Sequence, residues 1–214
     1  MMNAVKTDWL CAIVLAGGRS TRMGRDKATI EVGGIPMLRR IYDSLALCHD
    51  RGDQLADCIY IVTPDLEKYR SILPVNCHFI GESSPHQGPL FGFVQALTAI
   101  SSTWVLLLAC DLPYLSTEVV QTWIDGLGLI PADSVAYLPK HPTKGWEPLC
   151  GFYRCSCLES LLEYINTGGR SFQGWLAKNP VTELQIADPM CLVNCNTPVE
   201  LANVVEHYSI GIKW

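Results

Sequence analysis

Two hydrophobic patterns alternate along the chain. Continuous apolar runs of strand length recur at Cys11–Leu15, Cys58–Val62, Cys77–Ile80, Trp104–Cys110, Ser134–Leu138 and Leu149–Tyr153. Runs without polar alternation suit strands covered on both faces. Between them the apolar spacing becomes helical. Met37, Leu38, Ile41, Leu45 and Leu47 form one stripe within Pro36–Leu47, and Leu90–Ala99 and Thr117–Leu127 read similarly. Ser116 or Thr117 is a suitable N-cap, with Glu118 in the first turn. Strands alternating with helices predict an α/β fold, a mostly parallel sheet with helices on both faces.

The carboxyl third is less regular. Cys157–Asn166 reads as a helix ended by Gly168-Gly169, and further helices are expected near Ser171 and Pro198. Residues Ala187–Cys195 are expected to carry a last short strand. The length of 214 residues fits one large α/β domain or two small ones. No low-complexity linker, charge block or repeat divides the chain, so a single domain over 1–214 is expected.

Composition narrows the class. Apolar residues make up 49% and charged residues 17%, as in a packed enzyme rather than a disordered chain. The net charge of −5 disfavours a general nucleic-acid binder. No apolar run approaches the roughly 18 residues that span a bilayer. The stretch Leu10–Ala16 is short, Asp8 precedes it and a glycine-rich motif follows, so it reads as a buried strand and not a targeting segment. The ten cysteines form no C-x-x-C pair, and most lie in apolar runs, where free thiols act as small hydrophobes. A reducing, cytoplasmic setting is expected.

Chemistry concentrates after the first run. Leu15-Ala16-Gly17-Gly18-Arg19-Ser20-Thr21-Arg22-Met23-Gly24-Arg25-Asp26-Lys27 joins a Gly-Gly turn to four cationic side chains. Such a turn lets backbone N–H groups approach an anion, so the segment reads as a polyphosphate loop. It has neither the spacing of a Walker A loop nor that of G-x-G-x-x-G. Lys27 alone would be an ordinary solvated lysine; at the end of this loop it reads as a phosphate ligand. Asp26 either holds the loop or stays solvated. The fourth run ends in Cys110-Asp111-Leu112-Pro113, and a carboxylate there would face the same crevice as the loop. Asp111 is thus a candidate Mg²⁺ ligand, against the bland reading of a strand-end turn. Gly88-Pro89-Leu90-Phe91-Gly92 opens a helix, with Pro89 at its first position. In Asn194-Cys195-Asn196-Thr197-Pro198, capping accounts for one polar residue but not for two asparagines sharing one side of a short strand. No nucleophile elbow or histidine triad is present, which disfavours a covalent hydrolase.

These four segments, in this order, resemble the molybdenum cofactor guanylyltransferases over residues 9 to 206. That resemblance implies a single Rossmann-related, GT-A-like nucleotidyltransferase domain, with a nucleotide half at 9–115 and a cofactor-substrate half at 116–214. It implies GMP transfer from GTP to molybdenum–molybdopterin, with Mg²⁺ as cofactor. Leu15, Ala16 and Gly17 would line the guanine nucleotide site. Gly18, Arg19, Arg22 and Lys27 would hold the triphosphate, and Asp111 the metal. Gly88 and Gly92 would shape the nucleotide pocket, and Asn194 and Asn196 would adjoin the cofactor substrate. The family often has Asn where Thr63 stands and Asp where Glu82 stands, and both positions carry over as nucleotide contacts. Lys27, Asp111 and Arg19 would be the catalytic set. Lys144–Cys150 would wall the cofactor substrate, with Trp146 either stacked on a pterin or packed. The resemblance also implies transient contact with molybdenum-insertion and molybdoenzyme-maturation proteins, and neither nucleic acid nor membrane as partner. A sugar phosphate remains the alternative acceptor, and a non-catalytic nucleotide sensor the alternative class.

Overall fold

The computed structural model describes residues 8–17, 26–83 and 87–209, apart from the side chains of Pro198, His207 and Ser209. Its centre is a seven-stranded sheet. The strands are β1 (Asp8–Leu15), β2 (Ile59–Thr63), β3 (His78–Gly81), β4 (Ser102–Ala109), β5 (Ala136–Leu138), β6 (Cys150–Arg154) and β7 (Val181–Glu183), in the order β7-β5-β6-β4-β1-β2-β3. β1 pairs in parallel with β2 and β4, β2 with β3, and β5 with β7. Only β6 runs antiparallel to its neighbours β4 and β5. Strands from both halves of the chain thus share one sheet.

The absence of polar alternation has a direct cause. Leu10, Ala12 and Val14 of β1, with Trp104, Leu106 and Leu108 of β4, face one buried cluster. Helices α1 (Met37–Ala46) and α4 (Thr117–Asp125) cover it with Leu38, Ile41, Leu45, Val120, Trp123 and Ile124. The alternate residues Cys11, Ile13, Leu15, Val105 and Leu107 face a second cluster. Helices α3 (Pro89–Ala99), α5 (Leu158–Asn166) and α6 (Phe172–Leu176) seal it with Phe93, Leu97, Leu161 and Trp175. Each large side chain so buried contributes about 1.5–3 kcal/mol of transfer free energy. A five-residue helix, α2 (Leu66–Arg70), follows β2 with Asp65 as N-cap.

Ser116 caps α4 and Ser171 caps α6, each accepting a backbone N–H bond two or three residues into its helix. The expected strand over Ala187–Cys195 is absent. Pro189 has no N–H for a ladder, and Asp188 caps a 3-10 turn over Pro189–Leu192 by accepting from Met190 N. The last strand is the short β7 instead. The final helix, α7 (Pro198–Ser209), packs against the hairpin Glu31–Val32/Ile35–Pro36 through Val32, Met37, Tyr114 and Val204. The Tyr208 hydroxyl donates to Pro113 O at 2.6 Å, which ties α7 to the segment after β4. Among the described residues, no helix is long and apolar enough to cross a membrane.

Candidate active site

β1, β2 and β4 are parallel, so their carboxyl ends meet at one edge of the sheet. In open α/β sheets this edge is where ligands bind. A cavity of about 610 Å³ opens there. Leu15, Gly17, Pro64, Glu82, Gly88 and Pro89 line it on the β1–β2 side. Ala109–Leu112, at the end of β4, form its middle with Asp26 and Lys27. Glu147–Cys150, Leu192, Asn194 and Asn196 line it on the β6 side.

At the centre lies a cation between two acceptors. Lys27 Nζ donates to Asp111 Oδ2 at 2.9 Å and also to Asn196 Oδ1. The two charged side chains are 18% and 13% exposed, so their attraction is only partly screened. Three chain segments, 169 residues apart at the extremes, therefore converge on one ammonium.

Each segment is fixed locally. Lys27 opens a 3-10 turn that Asp26 caps by accepting from Ala28 N at 3.1 Å. The other oxygen of Asp26 accepts from the Tyr69 hydroxyl and from Lys68 Nζ, both at 2.6 Å. Burial would raise the Asp26 pKa, but the bonds from Lys68, Tyr69 and Ala28 outweigh it and hold the carboxyl below its ordinary value. Asp111 is set by the end of β4, and its carbonyl accepts from Cys195 N at 3.0 Å. Asn196 precedes α7, whose capping box pairs the Thr197 hydroxyl with Glu200 N at 3.2 Å. The Glu200 carboxylate returns to Asn196 N and Thr197 N at 2.7 and 2.8 Å. Capping thus occupies Thr197 and leaves Asn196 for the cavity.

The glycines have steric reasons. Gly88 precedes α3 at φ +95°, a backbone that favours glycine, with open space where a Cβ would stand. A Cβ on Gly17 would lie 2.6 Å from Pro64 Cδ. One on Gly92 would lie 3.0 Å from Glu82 Oε1, so Gly92 seats the Glu82 carboxylate.

The profile of the MobA-like NTP transferase domain family matches residues 12–181. A Nostoc sp. protein named probable molybdenum cofactor guanylyltransferase is 52% identical over 90% of this chain and 89% of its own length. A Synechococcus elongatus protein of the same name is 40% identical over 88% and 94%. The chain belongs to the molybdenum cofactor guanylyltransferases. It is accordingly a nucleotidyltransferase. Solved structures share the fold at lower identity. Molybdopterin-guanine dinucleotide biosynthesis protein A from Archaeoglobus fulgidus is 22% identical, covers 93% of this chain and 98% of its own, and has a TM-score of 0.75. CMP:2-keto-3-deoxy-manno-octonic acid synthetase complexed with CTP is 14% identical, covers 96% and 100%, and has a TM-score of 0.72.

The guanylyltransferase motifs read from the sequence fall unevenly on this site. Leu15, Gly17, Lys27, Glu82, Gly88, Asp111, Asn194 and Asn196 all line the cavity. Ala16 is fully buried between two cavity residues and donates its N–H to Val62 O. Thr63 is also fully buried, and its hydroxyl accepts from Asp65 N at 3.2 Å in the turn after β2, away from the cavity wall. Gly92 acts from behind Glu82. Gly18, Arg19 and Arg22 lie outside the described residues, as does Arg25. Asn194 and Asn196 do not share a strand face; they flank the fully buried Cys195 in an irregular segment. The half-buried Trp146 packs against the second core cluster and is not among the cavity-lining residues, while Gln173 bonds its backbone N and O and Lys140 Nζ lies 5.3 Å from its ring centroid. Pro64 and Leu192 also line the cavity and were not foreseen. A lone proline or leucine in an irregular segment carries no periodic signal.

None of the ten cysteines is in a disulfide. Burial pushes the Cys48 thiol up to about 12 and those of Cys77 and Cys191 to about 11. Such thiols stay protonated and serve as packing groups. No group of three or more His, Cys, Asp or Glu that could hold a metal occurs among the described residues.

Proposed function

We propose that the chain transfers GMP from GTP to the phosphate of molybdenum–molybdopterin, forming the guanine dinucleotide cofactor and releasing pyrophosphate. The observation that carries this reading is the Lys27–Asp111–Asn196 junction, set between two differently walled ends of one cavity in a member of this family. GTP would occupy the end lined by Leu15, Gly17, Glu82 and Gly88, and the acceptor the end lined by Glu147–Cys150 and the two asparagines.

An acceptor phosphate oxygen attacks the α-phosphorus, a new P–O bond forms, and the bond to the bridging oxygen breaks as pyrophosphate leaves. The nucleophile is already anionic, so no protein base is needed. Lys27 donates to the phosphate oxygens and offsets charge gathering on the leaving group. Asn196, now an acceptor for Lys27, holds that ammonium toward the acceptor side. Asp111 supplies one hard carboxylate beside the place of the triphosphate, a donor set that fits Mg²⁺ completed by water and phosphate oxygens. When bound, Mg²⁺ would neutralise the phosphates and align them. Ten cysteines outside any disulfide suit a reducing compartment, and we place the enzyme in the cytoplasm.

The test is GMP transfer with purified molybdenum–molybdopterin against sugar phosphates as acceptors. Transfer to the pterin cofactor alone is expected. Asp111→Asn should abolish it, and Lys27→Ala should lower kcat by about tenfold or more, equivalent to roughly 1.4 kcal/mol of transition-state stabilisation. Preferred transfer to a sugar phosphate would overturn the reading.

A further inference from the structure

The acceptor end of the cavity sets three apolar residues and one carboxylate beside the two asparagines. Pro148, Leu149 and Leu192 line it, and Glu147 stands beside them. Glu147 is half-buried, and among the described residues its carboxylate has no hydrogen-bond or ion-pair partner. Its backbone, by contrast, is held firmly. Glu147 N donates to Pro139 O at 2.9 Å, and Glu147 O accepts from Cys150 N at 3.3 Å. The preceding hairpin, Lys140–His141 against Gly145–Trp146, is braced by Gln173, whose amide donates to Trp146 O at 2.6 Å. Ala109 N donates to Leu149 O at 2.9 Å, so the residues before β6 run alongside the end of β4 that carries Asp111. A carboxylate with no hydrogen-bond or ion-pair partner among the described residues, on a fixed backbone and among apolar neighbours, is suited to two adjacent N–H donors on the edge of a flat ring. A sugar could reach Glu147 and the asparagines with some hydroxyls but would leave others facing Pro148, Leu149 and Leu192.

We propose that Glu147 determines acceptor specificity by taking two hydrogen bonds from the 2-amino-4-oxo pyrimidine edge of the pterin, from its ring N–H and its amino group. The inference rests on the function proposed above and goes beyond it by assigning the ring-reading residue. It also gives the cavity a carboxylate at each end, Glu82 on the nucleotide side and Glu147 on the acceptor side, with Lys27 and Asp111 between.

The test uses the full-length chain with saturating GTP and Mg²⁺. Pterin and lumazine, which carry no phosphate and accept no GMP, serve as competitive inhibitors of transfer to molybdenum–molybdopterin; lumazine has an oxo group where pterin has the amino group and would set an oxygen against the carboxylate. The wild type should prefer pterin by about tenfold or more, because a site built for a donor rejects the analogue lacking it. Glu147→Gln keeps the size and should lose that preference. It should also raise the acceptor KM by about tenfold while leaving the GTP KM within about twofold. Glu147→Asp, which keeps the charge, should retain part of the preference. An unchanged acceptor KM and pterin preference in Glu147→Gln would overturn the assignment. So would a rise in the GTP KM or in the Mg²⁺ requirement, which would make Glu147 part of the nucleotide machinery. If the wild type itself fails to use molybdenum–molybdopterin, the proposed function falls, an outcome distinct from a wild type that transfers normally and a Glu147→Gln that does too.

Discussion

Lys27 sits on a single turn, too short to fix its own side chain. The burden passes to Asp26, whose two oxygens take bonds from Ala28, Tyr69 and Lys68. Tyr69 is buried in the core, and burial together with Asp26 raises its phenol well above the ordinary value, so it remains a donor. Because the folded-state pKa of Asp26 is depressed, ionised Asp26 favours the folded state. That contribution is complete above the unfolded value of about 3.9 and is lost as the pH falls through the lower folded value. Asp26→Asn should therefore melt at a lower temperature than wild type near neutral pH, and the gap should close below about pH 3.9. Thermal melts from neutral pH to strongly acid conditions check this; a constant gap would assign the stabilisation to shape and not to charge. Tyr69→Phe, which keeps the ring, should cost about 1–2 kcal/mol. The sequence placed Asp26 beside Lys27 but could not show its two distant partners, Tyr69 and Lys68, which lie beyond β2.

Secondary elements were readable where their chemistry is local. Serine or threonine caps give away the starts of α4, α6 and α7, and unbroken apolar runs give away β1 and β4. The strand expected over Ala187–Cys195 shows the limit. Its apolar residues pack into two separate clusters, Cys191 in one and Met190 and Val193 in another, so hydrophobicity there reports burial without a ladder. Helix α3 yields a paired prediction. Gly88 lies at φ +95°, and alanine there should cost about 1–3 kcal/mol in backbone strain. Gly92 lies within the helix, where alanine gains about 1 kcal/mol of propensity but presses on Glu82 Oε1. Gly88→Ala should thus lower the melting temperature, whereas Gly92→Ala should hold it while raising the GTP KM. Melting curves and initial rates on both variants separate the two effects; loss of stability in Gly92→Ala with an unchanged KM would deny Gly92 its part in seating Glu82.

Across the fold, the site depends on distances that no local pattern encodes. Apolar runs announce strands but not their order, and nothing in Leu149–Tyr153 reveals that β6 alone turns antiparallel to β4. That reversal brings Glu147 alongside the end of β4, and the return of the chain through Cys195 to Asp111 O brings Asn196 to Lys27. Lys27, Asp111 and Asn196 were each named from the sequence; that the three meet at one ammonium was not legible there. A ligand that spans the nucleotide end and the Lys27–Asp111 centre of the cavity should stabilise this arrangement against unfolding. A ligand held only by the folded chain at about 100 times its Kd adds roughly 2.7 kcal/mol. For a chain of this size that corresponds to a rise in melting temperature of about 5–10 °C. With Mg²⁺, GTP should produce such a shift, while CTP, ATP and UTP should produce little. The shift should shrink when the metal is chelated and in Asp111→Asn, because the carboxylate and the phosphates would then lose their shared partner. Equal shifts with all four nucleotides would mean that the cavity reads phosphates and not the base, and the guanine end would have to be reassigned.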